Sequence, residues 1–172
     1  MFIKFKNKTK LYYLFWDVFI FYILFIIIKY PLLGGVLLLT YCLLDGIDGL
    51  LVRYLKIESK AGSLIDIMTD QIAVIVLPIL SVLYFDTNFV FAYLFGMFYI
   101  IEIFLLTILN SLNIKFGFVF RVKYFYYFLF FLSAYFGRDF LLWFHIVFGI
   151  YYLIHSFILY KILSVSIIFY SK

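Results

Sequence analysis

Six long apolar stretches, separated by short polar breaks, account for most of this 172-residue chain. Each stretch is close to the roughly 20 residues that an α-helix needs to cross a bilayer. Hydrophobic residues make up 68% of the chain and charged residues 13%, whereas about 25% of the residues in soluble domains are charged. The pattern excludes a soluble globule and predicts an all-α integral membrane protein with six transmembrane helices. The predicted spans are Leu11–Ile28, Pro31–Tyr54, Gly62–Phe85, Phe89–Leu109, Phe116–Gly137 and Phe140–Leu163.

The distribution of basic residues predicts the orientation of these spans. With a cytoplasmic N-terminus, twelve of the fourteen lysines and arginines fall on the cytoplasmic side, and only Lys29 and Arg138 fall outside. Cytoplasmic loops of membrane proteins carry such an excess. We therefore expect the N- and C-termini to be cytoplasmic and residues 1–172 to form a single membrane-embedded domain. The first stretch carries Asp17 and lacks a small-residue cleavage site, which favours a retained span over a signal peptide.

The overall charge indicates a class of binding partner, and the cysteine count excludes internal disulfides. The net charge of +5 suits contact with the anionic headgroups of membrane lipids. Cys42 is the only cysteine, so the chain cannot form an internal disulfide. Nothing in the pattern indicates a nucleic-acid partner.

Four aspartates stand inside the second and third apolar stretches. Asp45 and Asp48 are three residues apart, and Asp66 and Asp70 are four apart, so each pair shares one face of a helix. A carboxylate near the centre of a span costs about 2.5–3.5 kcal/mol, and ionisable residues in membrane spans usually mark functional sites. The four aspartates therefore predict a functional site.

The two predicted helices also place these acids at similar depth. In an antiparallel hairpin with a rise of about 1.5 Å per residue, Asp45 is level with Asp70, and Gly49 is level with Asp66. We expect the four carboxylates to converge just beneath the cytoplasmic surface.

Four converging carboxylates, with Arg53 as a nearby basic residue, would repel one another unless they protonate or bind cations. An all-oxygen site without cysteine or a nearby histidine suits hard divalent ions such as Mg²⁺ or Mn²⁺. Two such ions would balance four carboxylates. Because protein-bound magnesium commonly takes up phosphate oxygens, the expected ligand is a phosphate or diphosphate compound, which Arg53 could hold by paired hydrogen bonds.

The spacing of these residues resembles a known signature. The sequence Asp45-x2-Asp48-Gly49-x2-Val52-Arg53-x8-Gly62-x3-Asp66-x3-Asp70 is similar to D-x2-D-G-x2-A-R-x8-G-x3-D-x3-D of the class I CDP-alcohol phosphatidyltransferase family. Seven of the eight fixed positions match with every gap kept, and Val52 stands where the family has alanine. The resemblance extends to the phosphatidylglycerophosphate synthase-like type within the family.

The resemblance implies an activity and the residues that perform it. A phosphatidyl group would pass from CDP-diacylglycerol to the hydroxyl of a small polar alcohol, with release of CMP. By the same resemblance, Asp45, Asp48, Asp66 and Asp70 hold two divalent ions, Asp70 also acts as the base, and Gly49, Arg53 and Gly62 line the cytidine diphosphate site. It further implies a homodimer and an active site on the cytoplasmic side of a bacterial inner membrane.

The sequence does not identify the acceptor alcohol. Lys115, Arg121 and Lys123 cluster at the start of the fifth span and could bind the phosphate of an anionic acceptor, or they could only enforce topology. Glycerol 3-phosphate is slightly favoured because short bacterial members of the family commonly use it. Inositol phosphate, inositol and serine remain alternatives, since Gln71 and Ile67 match neither the glycerophosphate-using nor the serine-using pattern.

Two other functions fit the acidic motif less well. An intramembrane prenyltransferase usually has two separated aspartate-rich motifs, and a divalent-cation transporter needs acids spread through the membrane thickness, whereas these acids form one compact motif. Asp17 and Glu102 are further candidates for a role near the substrate, although Asp17 could simply face the cavity or water. His145 and His155 are ten residues apart and are expected to be hydrogen-bonded packing residues.

Overall fold

The computed structural model describes residues 18–54, 60–114 and 122–170. Within these ranges the side chains are described except at positions 48, 49, 51–53, 60–67, 70 and 167–170. All the regular structure in the described part of the chain is helical. The helices are α1, described over Val18–Ile27, then α2 (Pro31–Tyr54), α3 (Lys60–Phe85), α4 (Phe89–Ser111), α5 (Lys123–Phe136) and α6 (Leu141–Tyr170).

Local signals fix several of the helix ends. Pro31 is the first residue of α2, where its missing N–H costs nothing because that donor has no partner within the helix. Asn88 caps α4 by accepting a hydrogen bond from the Val90 N–H at 3.0 Å. Gly137 ends α5 in the left-handed conformation, with φ 60°. Asp139 then accepts hydrogen bonds from Leu141 N–H at 2.8 Å and Leu142 N–H at 3.0 Å at the start of α6.

Two of the predicted boundaries are wrong. α5 begins at Lys123, seven residues after the predicted start at Phe116, and Val122 immediately before it is not helical. α6 continues to Tyr170 rather than ending at Leu163. The other described boundaries lie within about two residues of the predicted ones.

The helices pack in a small number of close pairs. α4 packs along α6, α2 packs along α5, and α3 contacts both α4 and α5. A Cβ built on Gly35 of α2 would lie 3.1 Å from the Phe131 Cα of α5, so the glycine allows these two backbones to approach closely. Phe95 of α4 stacks on Tyr126 of α5 with ring centroids 5.5 Å apart. The core therefore links α2 to α5 and α5 to α4.

Large apolar side chains cover the outside of the bundle as well as its core. Phe25, Leu43 and Trp143 are each more than two-thirds exposed. In the described part of the chain, two helices are long and apolar enough to cross a membrane, Phe89–Ser111 and Leu141–Ser166. Among the described side chains, apolar stretches also run over Pro31–Ile47 of α2 and Gln71–Phe85 of α3. An apolar exterior of this kind is expected where the surrounding solvent is lipid.

Candidate active site

The candidate site is built around Asp45, in the second half of α2. Its Oδ2 atom lies 3.0 Å from the Lys123 Nζ atom and accepts a hydrogen bond from the Tyr124 hydroxyl at 2.5 Å. Both donors belong to the first turn of α5. A carboxylate beside the first turn of a helix is also favoured by the partial positive charge of the helix N-terminus.

The environment of Lys123 explains why it points at this carboxylate. The residue is only 7% exposed, and an ammonium group that is buried without a counter-ion is costly. Asp45 supplies the negative charge, and the Nζ atom lies 4.9 Å from the centroid of the Tyr124 ring, within the range of a cation–π contact. The pair also joins α2 to α5 across 78 residues of sequence.

Only one oxygen of Asp45 is used in these contacts. No described residue forms a hydrogen bond with Oδ1, and the Asp45 side chain is 29% exposed. A partly exposed carboxylate oxygen is a ligand that Mg²⁺ or Mn²⁺ accepts. The Asp45 carboxylate is therefore suited to bind a hard divalent ion through Oδ1.

The other motif positions lie on the same two helices. Asp48, Gly49 and Arg53 are in α2, and Asp66 and Asp70 are in α3, as the spacing of the two acidic pairs requires. Gly62 also lies in α3. The side chains at all these positions lie outside the described set, so the convergence of the four carboxylates stays a prediction.

The acceptor residues are divided between the described and the undescribed parts. Lys123 is placed beside Asp45, whereas Lys115 and Arg121 lie outside the described residues, as does Asp17. Among the side chains that are described, no three histidine, cysteine or carboxylate groups form a cluster that could hold a metal. The described side chains include Asp45 but not the other three motif aspartates.

Tyr124 was not among the site residues predicted from the sequence. Tyr124 follows Lys123 directly, at a position that is 38% exposed. Its role depends on the packing of α5 against α2, so no local signal in the sequence could have identified it.

The remaining buried polar residues lie between α4, α5 and α6. The Nδ1 atom of His155 lies 2.8 Å from the Glu102 Oε1 atom, and the Tyr126 hydroxyl lies 2.9 Å from the His145 Nε2 atom. Both histidines are hydrogen-bonded packing residues, as expected. Glu102 is paired with His155 and is 1% exposed.

A comparison with protein-family models gives one match. The model described as CDP-alcohol phosphatidyltransferase covers residues 9–151. The chain belongs to the CDP-alcohol phosphatidyltransferase family. Comparisons with curated proteins and with solved structures gave no match.

Family membership fixes the reaction class. The CDP-alcohol phosphatidyltransferases are enzymes that transfer a substituted phosphate group from a CDP-alcohol to an alcohol acceptor in phospholipid biosynthesis, and divalent metal ions serve the family generally. The apolar helices and the family together indicate a membrane protein. The prenyltransferase and transporter alternatives are therefore set aside.

Proposed function

We propose that this CDP-alcohol phosphatidyltransferase uses CDP-diacylglycerol as donor and a phosphorylated alcohol, glycerol 3-phosphate, as acceptor, and releases CMP. The single observation that supports this choice is the position of Lys123, a nearly buried cation 3.0 Å from the first motif aspartate. A cation so close to the acidic motif suits an acceptor that brings a negative charge of its own.

The acidic motif supports two divalent ions in this proposal. Asp45, Asp48, Asp66 and Asp70 would hold Mg²⁺ or Mn²⁺. The support for this is the Oδ1 atom of Asp45, which has no hydrogen-bond partner among the described residues, together with the helical backbone at all four positions. When bound, the ions neutralise charge on the diphosphate and on the leaving CMP.

The chain's own groups would perform the remaining steps. Asp70 accepts the proton of the attacking acceptor hydroxyl, which raises the nucleophilicity of that oxygen. Arg53 donates hydrogen bonds to phosphate oxygens of the donor. Gly49 and Gly62 leave room for the cytidine diphosphate because they carry no side chain.

The acceptor site would consist of Lys123 together with Lys115 and Arg121. Glycerol 3-phosphate and inositol phosphate share a phosphate monoester, which such cations bind, whereas inositol and serine lack it. The buried ammonium of Lys123 therefore favours the two phosphorylated acceptors, and glycerol 3-phosphate is preferred because short bacterial members of the family commonly use it.

The proposed setting is a bacterial inner membrane with the active site on the cytoplasmic side. Residues 1–172 would form one domain with six spans, cytoplasmic termini and a homodimeric assembly. The support is the charge bias of the loops, with twelve of fourteen basic residues on one side, and the family for the dimer. In this position the acyl chains of the donor stay in lipid while the acceptor arrives from the cytoplasm.

The test is CMP release by the purified full chain in lipid nanodiscs containing CDP-diacylglycerol. Glycerol 3-phosphate, inositol phosphate, inositol and serine are supplied separately, with Mg²⁺, with Mn²⁺ or with a chelator. We expect metal-dependent CMP release with glycerol 3-phosphate, and none after Asp70→Asn although that variant inserts and folds. Release with serine or inositol alone would contradict the acceptor assignment, and near-normal rates in Asp70→Asn would remove Asp70 from the role of base.

A further inference from the structure

Two donors converge on one oxygen of Asp45. The Lys123 ammonium lies 3.0 Å from Oδ2, and the Tyr124 hydroxyl donates to the same atom at 2.5 Å. An ionised carboxylate has about four acceptor sites, shared equally between its oxygens. The two donors therefore fill the acceptor sites of Oδ2, whatever other groups they contact. Oδ1 has no hydrogen-bond partner among the described residues, so it is the oxygen that can take a metal ion.

The fold holds both donors in this position. Lys123 is 7% exposed, so the surrounding side chains restrict the movement of its stem. Tyr124 has few side-chain torsions, and its hydroxyl is placed once the ring is packed. Both residues belong to the first turn of α5, which packs along α2. We therefore expect Oδ2 to stay occupied when a metal ion binds at Oδ1.

Divalent ions differ in how they use a carboxylate. Ca²⁺ takes about 6–8 oxygen ligands and can bind a carboxylate through both oxygens, whereas Mg²⁺ requires nearly octahedral geometry. Mn²⁺ also suits octahedral sites made of carboxylate and water oxygens. A carboxylate whose second oxygen is occupied offers one ligand atom. That arrangement meets the needs of Mg²⁺ and Mn²⁺, and it denies Ca²⁺ the second bond.

We infer that Lys123 and Tyr124 are positioning residues that restrict Asp45 to one metal bond, through Oδ1, and thereby make the site favour Mg²⁺ and Mn²⁺ over Ca²⁺. The inference rests on the proposed function, which places a metal ion at Asp45, and it specifies which ions that site accepts. The charge of Lys123 repels these ions to a similar extent, because all three are doubly charged. Discrimination between them therefore comes from the occupied Oδ2 atom and not from the charge.

The test measures the binding of Mn²⁺ and Ca²⁺ to the full chain in nanodiscs of phosphatidylcholine, without nucleotide. Bound Mn²⁺ is counted by electron paramagnetic resonance, and Ca²⁺ is titrated as a competitor that displaces it. The quantity compared between proteins is the affinity for Mn²⁺ divided by the affinity for Ca²⁺. We expect the parent protein to bind Mn²⁺ more tightly than Ca²⁺.

Variants of the two donors separate the occupancy of Oδ2 from the charge. Tyr124→Phe frees one acceptor site of Oδ2 and keeps the ring, so we expect the affinity ratio to fall by about tenfold, the lower end of the effect of groups that orient a metal ligand. Lys123→Met frees the other site and should lower the ratio as well, because the lost charge affects both ions alike. Combining the two changes should lower the ratio further. Tyr160→Phe, at an exposed position on α6, is the matched control and should leave the ratio unchanged.

Two results would overturn the inference. The first is a parent protein that binds Ca²⁺ as tightly as Mn²⁺. The second is an unchanged ratio in the variants, because a purely structural role would weaken both ions by the same factor. Tyr124→Phe alone decides the second point if Lys123→Met does not fold.

CMP release from CDP-diacylglycerol is measured in parallel to keep the inference separate from the proposed function. Metal-dependent CMP release together with an unchanged affinity ratio in Tyr124→Phe would contradict the inference alone. A ratio that falls in Tyr124→Phe, with no CMP release by the parent protein, would contradict the proposed function and leave the role of the two donors standing.

Discussion

The Nδ1 atom of His155 lies 2.8 Å from the Oε1 atom of Glu102, and this contact joins α6 to α4 inside the core. The ring of His155 also stacks on Tyr151, with centroids 5.5 Å apart. The second carboxylate oxygen of Glu102, Oε2, is buried and has no hydrogen-bond partner among the described residues. One oxygen of Glu102 therefore carries the link between the two helices.

Substitutions at Glu102 should separate the contribution of its hydrogen bond to stability from the contribution of its charge. Glu102→Gln keeps an oxygen that can accept from His155, so we expect stability close to that of the parent. Glu102→Leu leaves the buried imidazole without this partner and should lower the free energy of unfolding by about 1–3 kcal/mol. Thermal unfolding in detergent measures the stability of both variants. Equal destabilisation by the two variants would mean that the carboxylate charge, not the hydrogen bond, is what α6 needs.

The approach of α2 to α5 should depend on Gly35. A Cβ at this position would meet the Phe131 Cα at 3.1 Å, so Gly35→Ala should separate the two helices and cost about 1–3 kcal/mol, as overpacking does. The matched control is Gly46→Ala on the same helix, where a Cβ would meet nothing within 4 Å. That change should be neutral or stabilising by up to about 1 kcal/mol through helix propensity. Chemical denaturation compares the two, and a stable Gly35→Ala variant would disprove the close contact.

The hydroxyl of Tyr124 should matter for metal binding more than for folding. Tyr124→Phe removes the 2.5 Å hydrogen bond to Asp45 but keeps the ring under Lys123. Because partners that orient a metal ligand typically contribute 10–100-fold in metal affinity, we expect Mn²⁺ affinity to fall by about tenfold with unchanged unfolding temperature. Tyr160→Phe, at an exposed position on α6, is the matched control and should bind Mn²⁺ normally. Unaltered affinity in Tyr124→Phe would show that the hydroxyl does not orient Asp45.

Substitutions of the basic residues before α5 should show whether these residues bind the acceptor or only set the orientation of the chain in the membrane. Arg121→Ala and Lys115→Ala each remove one cation that would contact the acceptor phosphate, a bond to a charged group worth about 1.5–3 kcal/mol. We expect KM for glycerol 3-phosphate to rise by about tenfold or more, with little change in kcat. Lys29→Ala, in the break between α1 and α2, serves as the control. Unchanged kinetics in both variants would favour the reading in which these residues only set the orientation.

Helix ends were predictable where the signal is local. Pro31, Asn88 and Gly137 act through their own backbone preferences or nearest neighbours, and those boundaries match. The start of α5 was not predictable, because Val122 makes no side-chain capping bond and hydropathy alone does not place a helix start at Lys123.

The prediction of where α6 ends was wrong for a different reason. Two serines follow the predicted end at Leu163, but Ser164 and Ser166 donate to the carbonyls of Tyr160 at 2.9 Å and Ile162 at 2.8 Å. Each hydroxyl is thereby satisfied four residues back within its own helix. The helix can continue through both positions.

Part of the candidate site could also be predicted from local sequence, and part could not. The position of Asp45 was predicted from spacing within a few turns of helix. Its partners did not follow, because Lys123 and Tyr124 are 78 and 79 residues away and meet Asp45 only through the packing of α2 on α5. The Glu102–His155 contact could not be predicted from the sequence for the same reason, since 53 residues separate the two side chains.

The contacts of Asp45 with Lys123 and Tyr124 join α2 to α5 at one point, and the close approach of Gly35 to Phe131 joins the same two helices at another. Two points of attachment along one helix pair restrict the rotation of α2 about its own axis. The carboxylate of Asp45 therefore has a set orientation before any ligand arrives, and less conformational freedom is lost when one binds.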